Sequence, residues 1–202
     1  MRNVIMAVLA VFVLAGAMLG LARWLTPAPP QEAAQSDTVS IGGPFTLVDQ
    51  NGQEVTDEKF RGRLMLVYFG YTFCPDVCPL GLTTIAEALD RLPAEDRDQI
   101  VPVFITVDPE RDTVAVMKDY VGAFSDRLVG LTGSPDAVQD VLREYRVYAR
   151  KADSETADGA YLVDHSTFTY LMDREGRYLA HFGHSATPEE MAERIETAIG
   201  AG

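Results

Sequence analysis

LMLVYFGYTFCPDVCP, residues 64–79, contains the strongest structural signals of the chain. Its first part, residues 64–69, is an unbroken apolar run of the length and composition expected for a strand buried on both faces. Beyond Cys78 the apolar residues recur with the spacing of a helix, from Leu82 to Leu92. The stretch therefore predicts a buried strand that leads directly into an amphipathic helix, with two cysteines at the junction.

Cys74 and Cys78 are the two cysteines of the chain. We expect both on the first helical turn with exposed sulfurs, because a spacing of four directs side chains to one face. The unpaired N–H groups and positive dipole end of a helix N-terminus favour thiolates, which attack disulfides and bind soft metals such as Cu(I) or Zn(II). A structural disulfide is the alternative, but across so short a loop it would add little stability.

A metal site with two sulfur ligands commonly includes a nitrogen ligand, and the chain has three histidines, His165, His181 and His184. His165 precedes an apolar strand predicted over 168–172, and we expect it in the turn before that strand. The neighbours of this strand belong to the centre of the sheet, so its start can face the cysteines. The residues alone favour His165 only slightly, since a histidine is more often a satisfied polar residue than a ligand.

The segment Asp108-Pro-Glu-Arg-Asp112 follows a second buried strand, predicted over 100–107. Open α/β sheets place their functional sites at the carboxyl ends of strands, which is where this segment lies. Turn formation and capping of the next helix would explain the same residues equally well. No phosphate-binding glycine loop, zinc-protease helix or nucleophile elbow is present in the sequence.

The remaining segments predict an α/β domain with a mixed central sheet and helices on both faces, a thioredoxin-like plan. Parallel strands are expected where helices intervene, and hairpins add antiparallel strands. The predicted elements are a hairpin around Asn51-Gly52, helices over 113–124, 134–145 and 187–199, a strand over 128–131, a polar loop over 153–159 and a hairpin over 168–182.

Residues 4–22 form an apolar run without charged or polar side chains, bracketed by Arg2 and Arg23. A helix of that length nearly spans the ~30 Å hydrocarbon core of a bilayer. A cleaved secretory signal is the alternative, but its apolar region is usually only about 7–15 residues long. We therefore predict one transmembrane helix within an anchor over 1–26, a Pro-rich flexible linker over 27–40 and a working domain over 41–202.

The chain has 30 acidic and 17 basic residues and a formal net charge of −13, and every acidic residue follows position 26. Such a domain repels phosphates and anionic headgroups, which argues against nucleic-acid binding. With its amino terminus inside, the anchor would place the domain outside the cytoplasm, on the periplasmic side of the inner membrane in a bacterium.

Three blocks of sequence together resemble the Sco/SenC family of membrane-anchored copper chaperones. They are residues 68–79, residues 107–113 and Asp164-His-Ser166, and the resemblance extends over about 40–200. It implies a thioredoxin-like fold, with Cys74, Cys78 and His165 as copper ligands. It also implies that Asp108 and Asp112 support the site or partner recognition.

The function implied by this resemblance is delivery of copper to the binuclear copper site of cytochrome c oxidase. The cargo would be Cu(I), and Cu(II) with added ligands. The implied partners are the copper-accepting oxidase subunit, other copper chaperones and thiol reductants. A membrane-tethered thiol–disulfide oxidoreductase is the main alternative, since it uses the same cysteines without His165. A peroxidase is a third alternative, for which the sequence places no arginine beside Cys74.

Overall fold

The structure, a computed structural model, describes residues 40–155 and 161–200. Strands and helices alternate along the central part of the domain, as the sequence predicts. The elements are β1 (Thr46–Asp49), β2 (Glu54–Thr56), a 3-10 helix (Asp57–Phe60), β3 (Leu64–Gly70), α1 (Val77–Arg91), α2 (Ala94–Arg97), β4 (Ile100–Thr106), α3 (Val114–Gly122), β5 (Val129–Thr132), α4 (Pro135–Glu144), β6 (Ala149–Glu155), β7 (Tyr161–His165), β8 (Thr169–Met172), β9 (Tyr178–Phe182) and α5 (Pro188–Gly200).

Seven strands form one mixed sheet in the order β2-β1-β5-β4-β3-β8-β9. The pairs β3–β4 and β4–β5 are parallel, and the other neighbours run antiparallel. The central strands β3 and β4 are buried along their whole length, which explains their continuous apolar sequences. The predicted mixed central sheet is therefore confirmed.

Helices cover both faces of this sheet. Tyr68 and Phe69 are consecutive in β3 and so point to opposite faces. On the Tyr68 side lie Gly81 of α1 and, against the paired Phe104, Tyr120 of α3. On the other side Phe69 packs against Tyr145, directly after α4, with ring centroids 5.2 Å apart. Helices on both faces were expected from the sequence.

The predicted first hairpin is also confirmed, with β1 and β2 joined at Asn51-Gly52. Gly52 has a positive φ of 78°, a conformation that glycine adopts without steric cost. The Asp49 carboxylate accepts the N–H groups of Asn51 and Gln53, each at 2.9 Å. The turn therefore closes through local hydrogen bonds that the sequence makes available.

The helix starts follow the predicted capping signals. Ser134 directly precedes the proline that opens α4, and its hydroxyl accepts the N–H of Ala137 at 3.2 Å. At α5, Thr187 and Glu190 exchange hydrogen bonds, each side chain accepting the N–H of the other, at 3.0 and 3.2 Å.

One region differs from the prediction. Residues 149–155 and 161–165 form a second, two-stranded antiparallel sheet, β6–β7, that was not expected. Of the polar loop predicted over 153–159, residues 153–155 are the end of β6, and residues 156–159 lie outside the described residues. β6 is rich in charged residues and has no alternation of polar and apolar side chains, so it has no sequence signature of a strand. The sequence also gave no signal for the 3-10 helix before β3 or for the single turn α2.

The predicted membrane anchor and almost all of the predicted linker lie outside the described residues. Within residues 40–155 and 161–200, no helix is long and apolar enough to cross a bilayer.

Three segments meet at one edge of the seven-stranded sheet. The loop with the cysteines and the loop over 107–113 leave the carboxyl ends of the parallel strands β3 and β4. β8 runs antiparallel to β3 with Thr169 opposite Tyr68, so β8 begins at the edge where β3 ends. The segment just before β8, with His165, therefore reaches the cysteines, as the sequence predicts.

Candidate metal centre

Cys74, Cys78 and His165 converge at this edge. Their two sulfurs and a ring nitrogen all lie within 4.8 Å of one another, and it is the one group of three or more potential metal-binding His, Cys, Asp and Glu side chains found in the described part of the chain. Sequence reasoning had named the same three residues. The structure brings the histidine to the sulfurs across 87 positions of sequence.

Cys74 differs from expectation in two ways. It precedes α1, which begins at Val77, and lies in a turn where its own N–H bonds to the Tyr71 carbonyl at 3.2 Å. From there its sulfur accepts the N–H of Cys78, in the first turn of α1, at 3.4 Å. The sulfurs are also buried rather than exposed, since Cys74 is 7% and Cys78 0% accessible. Cys74 thus lies outside the helix, with its sulfur facing the N–H groups of the helix N-terminus.

The two sulfurs have opposite protonation tendencies. The pKa of Cys74 is lowered to about 4, first by the hydrogen bond from the Cys78 thiol and then by His165 and the N–H groups of Asp76 and Cys78, which outweigh burial. The hydrogen bond to Cys74, burial and the Cys74 charge raise the pKa of Cys78. In the metal-free protein the pair therefore holds one proton on Cys78 and one negative charge on Cys74.

His165 is the last residue of β7, not part of a turn before β8 as predicted. Its Nδ1 lies 2.9 Å from the carbonyl oxygen of Ser166, and its Nε2 lies 3.4 Å from the Cys78 sulfur. A carbonyl only accepts hydrogen bonds, so Nδ1 carries a proton. Nε2, which faces the sulfurs, is then the ring nitrogen that is available to bind a metal.

Asp112 connects the two loops beside the site. Its fully buried carboxylate accepts hydrogen bonds from the Thr106 hydroxyl at 2.6 Å and the Thr72 hydroxyl at 2.7 Å, and from the Thr72 N–H at 3.0 Å. Burial raises the pKa of Asp112, and these hydrogen bonds act against that rise. Because Thr72 lies two residues before Cys74, Asp112 fixes the start of the cysteine loop.

Asp108 has a different set of contacts. It is buried and forms an ion pair with Arg111 at 2.5 Å, and it accepts hydrogen bonds from the Tyr161 hydroxyl at 2.9 and 3.1 Å. These contacts connect the loop over 107–113 to the start of β7. Neither Asp108 nor Asp112 belongs to the cluster of three ligand atoms.

His181 and His184, the other histidines considered from the sequence, lie away from the cluster. His181 is exposed on β9, where its Nδ1 lies 2.6 Å from the Tyr178 hydroxyl and its ring packs on Phe168. His184 borders a separate small depression between α1 and the start of α5.

The wall behind Cys78 leaves no spare volume. A Cβ atom added to Gly70 would lie 2.8 Å from the Cys78 sulfur and 2.9 Å from the ring of Phe104. Tyr68 also lies beside Cys78, and its hydroxyl bonds to the Val77 carbonyl at 3.3 Å. Sequence reasoning did not identify Gly70, Tyr71, Thr72 or Arg111 as site residues. Their signals are their position at the ends of β3 and β4 and their place in the blocks 68–79 and 107–113 that carry the resemblance.

Apolar side chains are exposed around the buried sulfurs. Phe73 is 52% and Leu80 56% accessible, and Val77 lies between them in sequence with about a third of its surface exposed. Tyr148 and Phe168, near His165, are exposed to a similar extent. Exposed apolar side chains grouped beside a buried site are typical of a protein interaction surface, and three of these flank the two cysteines in sequence.

Together these features define a class: a thioredoxin-like α/β domain with a buried cluster of two sulfurs and one imidazole nitrogen. Softness of the ligands makes Cu(I) and Zn(II) the metals that suit it, and the thiolate at Cys74 also suits thiol–disulfide exchange. Fold and site alone leave both chemistries open.

Comparison with known proteins identifies the family. A family model described as SCO1/SenC matches residues 33–200. An SCO2-like protein of Rickettsia prowazekii is 40% identical over 192 residues, which cover 94% of this chain and 93% of the relative. Protein SenC of Rhodobacter capsulatus is 43% identical over 160 residues, covering 79% of this chain and 71% of that protein. The chain belongs to the SCO1/SenC family, which confirms the resemblance seen in the sequence.

Solved structures agree. ScoI of Bradyrhizobium japonicum with copper bound is 48% identical and has a TM-score of 0.72, covering 79% of this chain and 99% of that one. Yeast Sco1 with copper bound is 37% identical, with a TM-score of 0.74 and coverage of 81% and 90%. The copper in these structures belongs to those relatives.

Proposed function

We propose that this protein is a copper metallochaperone that binds one copper ion through Cys74, Cys78 and His165. The observation that carries the proposal is the convergence of two sulfurs and a ring nitrogen within 4.8 Å. Copper-bound relatives of 48% and 37% identity support copper over zinc as the cargo. Two thiolates and an imidazole hold Cu(I) in a trigonal arrangement, and Cu(II) with added ligands.

The metal-free site is prepared for this chemistry. Cys74 is already a thiolate and His165 directs Nε2 at the sulfurs, so of the two cysteines only Cys78 still has a proton to lose. Oxidation to a Cys74–Cys78 disulfide abolishes binding, because a disulfide offers no thiolate. The thiol state of the pair therefore controls loading.

The acceptor we propose is the copper-accepting subunit of cytochrome c oxidase, at its binuclear copper site. Transfer by stepwise ligand exchange requires the two proteins to come into contact at the cluster. The exposed apolar side chains of Phe73, Val77 and Leu80 beside the buried sulfurs suit such a contact. Other copper chaperones or thiol reductants would load or reduce the site from the same direction.

An N-terminal anchor would strengthen delivery. We propose that residues 1–26 hold the domain at the membrane and that residues 27–40 serve as a tether on the extracytoplasmic side. Confinement near a membrane-bound acceptor raises its effective concentration without any new contact. The apolar run over 4–22 supports this proposal.

Copper transfer to the acceptor is the test. The reduced protein is loaded with one Cu(I) and mixed without oxygen with the reduced copper-binding domain of the oxidase subunit. We expect copper to appear on the acceptor faster than it reaches a small chelator of equal affinity, and Phe73→Ser to slow only the protein-to-protein step. Leu179→Ser, an exposed leucine on β9, is the matched control. Transfer at the same rate to protein and chelator would refute chaperone function.

A thiol–disulfide oxidoreductase is the second candidate, favoured by the low pKa of Cys74 beside a protonated Cys78. The Cys74 thiolate would attack one sulfur of a substrate disulfide, forming a mixed disulfide and releasing the first substrate thiolate. Cys78 would then lose its proton and attack Cys74, releasing the second thiolate and leaving the pair oxidised. Turnover of an oxidase-subunit disulfide that survives His165→Ala would support this candidate, and a wild-type protein without turnover would exclude it.

A further inference from the structure

The hairpin that ends in His165 is not part of the main sheet. Among the residues that the structure describes, β6 and β7 pair with each other, and no backbone ladder joins them to the seven strands that position the cysteines. The short connection from His165 to β8 brings this residue to the sheet edge, and side-chain contacts between β7 and the loops there hold the rest of the hairpin. This is unusual for a ligand set, because two ligands lie beside the core and the third on a separate unit.

Arg111 makes the most extensive of these contacts. Its Nη1 donates to the Tyr161 carbonyl at 2.9 Å, and its guanidinium carbon lies 3.6 Å from the centre of the Tyr161 ring. Its Nε binds the Asp108 carboxylate, which also accepts the Tyr161 hydroxyl. Arg111 and Asp108 thus hold both the backbone and the side chain of Tyr161, the first residue of β7.

The same guanidinium reaches the cysteine loop. It lies 4.8 Å from the centre of the Phe73 ring and 5.6 Å from that of the Tyr71 ring. Tyr71 in turn accepts the N–H of Val163 at 3.2 Å, and its ring meets the His165 ring edge-on at 5.8 Å. Arg111 therefore contacts the cysteine loop and β7 at once.

Burial makes this arrangement effective. The Arg111 side chain is only 17% exposed and that of Asp108 3%, so their ion pair is shielded from solvent. The other ion pair between these segments, Lys151 with Glu110 at 2.7 Å, has both side chains more than half exposed and holds the hairpin far less firmly. Lysine in place of Arg111 would keep the charge but could not bond to Asp108 and the Tyr161 carbonyl in one planar fork.

We infer that Arg111 is a positioning residue for copper binding, which through Tyr161 holds β7 so that His165 Nε2 faces the two sulfurs. This inference rests on the proposed function, because it assigns to Arg111 the placement of one proposed copper ligand. Arg111 acts through His165 and does not itself contact the metal. Its effect must therefore disappear when the imidazole is absent.

The test is a double-mutant cycle on Cu(I) affinity, measured without oxygen on the reduced protein against a chromophoric chelator. Arg111→Met is compared with wild type, and the same change is made in the His165→Ala protein. We expect Arg111→Met to weaken Cu(I) binding about tenfold or more, and to change it by less than about twofold without His165. Arg150→Met, an exposed arginine on β6, is the matched control and should bind as wild type does.

The possible outcomes distinguish failure of the Arg111 role from failure of the proposed copper-binding function. An equal loss with and without His165 would show that Arg111 acts on the sulfurs or on folding, and would overturn the inference alone. Unchanged affinity in Arg111→Met, together with weak binding by His165→Ala, would also overturn the inference alone. If His165→Ala binds as tightly as wild type, the proposed ligand set fails as well.

A second variant tests the inference if Arg111→Met does not fold, and a hydrogen-exchange measurement tests it without metal. Tyr161→Phe removes the hydroxyl bonded to Asp108 but keeps the ring under the guanidinium. We therefore expect a smaller loss of Cu(I) affinity, with the same dependence on His165. This variant tests the inference even if Arg111→Met does not fold. In the metal-free protein, Arg111→Met should speed hydrogen exchange at the Val163 amide, and Arg150→Met should not. An unchanged exchange rate at Val163 in a folded Arg111→Met protein would contradict the positioning role.

Discussion

The Cys78 sulfur lies 3.4 Å from Nε2 of His165, although 87 positions of sequence separate the two residues. Cys78 is in the first turn of α1 and fully buried, whereas His165 ends a hairpin outside the main sheet. The helix that follows β3 and a hairpin outside the main sheet thus meet at this contact. Copper binding as proposed here depends on that contact.

The first prediction concerns the reactivity of the two thiols. Above its pKa of about 4, Cys74 is a thiolate, so its alkylation by iodoacetamide should change little between about pH 6 and 8. An ordinary thiol slows about tenfold for each pH unit over that range. Cys78 should remain unmodified, because its pKa is raised and its sulfur is buried. Mass spectrometry of peptides from the reduced protein measures both rates.

Two variants at position 78 identify the cause of the low pKa. Cys78→Ser keeps a hydroxyl that can donate a hydrogen bond to Cys74, whereas Cys78→Ala keeps none. The Cys74 reaction should stay pH-independent in the serine variant and become pH-dependent in the alanine variant. If wild-type Cys74 itself slows tenfold per pH unit below pH 8, the thiolate assignment is wrong.

The second prediction concerns protons released by copper. Cys74 is already deprotonated at pH 8, and Cys78 must lose its proton to bind Cu(I), so binding should release about one proton per copper. The sign follows from mass action: affinity rises with pH while Cys78 is protonated in the free protein. Calorimetry in buffers of different ionisation enthalpy measures the number. Release of two protons would mean that both cysteines are thiols in the free protein.

The third prediction concerns the space behind Cys78. Gly70→Ala places a Cβ atom 2.8 Å from the Cys78 sulfur, so either the sulfur or the strand must move. Overpacking of this kind costs about 1–3 kcal/mol of unfolding free energy, and we expect weaker Cu(I) binding with it. Gly122→Ala, whose added Cβ meets nothing within 4 Å, is the control. Unchanged affinity in Gly70→Ala would show that the sulfur position is not critical.

The fourth prediction concerns Asp112, which joins the two loops. Asp112→Asn leaves one oxygen and an NH₂ group where two oxygens accept three hydrogen bonds from Thr72 and Thr106. The asparagine oxygen can keep the bonds from the Thr72 N–H and the Thr106 hydroxyl, but its NH₂ group forces the Thr72 hydroxyl to accept instead of donate. We expect this loss to lower the free energy of unfolding by about 1–3 kcal/mol. Urea denaturation measures the loss, and the exposed Asp126→Asn serves as control. A stability equal to that of wild type would show that the carboxylate does not hold the cysteine loop.

Much of the fold follows from local sequence. The apolar run of β3, the Asn51-Gly52 turn and the caps at Ser134 and Thr187 each have a local physical cause, and the structure contains all of them. The approach of His165 to the cysteines was also predictable, because β8 had to pair near the sheet centre and begin at the edge where β3 ends.

The rest depends on contacts that local sequence does not encode. β6 is polar on both sides, and its strand exists through pairing with β7 and through the attachment of Tyr161 to Arg111. Burial of Cys74 likewise requires that distant segments close over it. From the sequence, both sulfurs were expected on a helix at the surface. A spacing of four residues predicts a shared face but gives no information about which segments pack over that face.

The most direct test is a Cu(I) titration of the reduced protein without oxygen, in competition with a chromophoric chelator. Wild type is compared with His165→Ala, Cys74→Ser and His181→Ala, the last being an exposed histidine outside the cluster. We predict one tightly bound Cu(I) that is weakened in His165→Ala and Cys74→Ser and unchanged in His181→Ala. Full affinity in either His165→Ala or Cys74→Ser would contradict the three-ligand copper site.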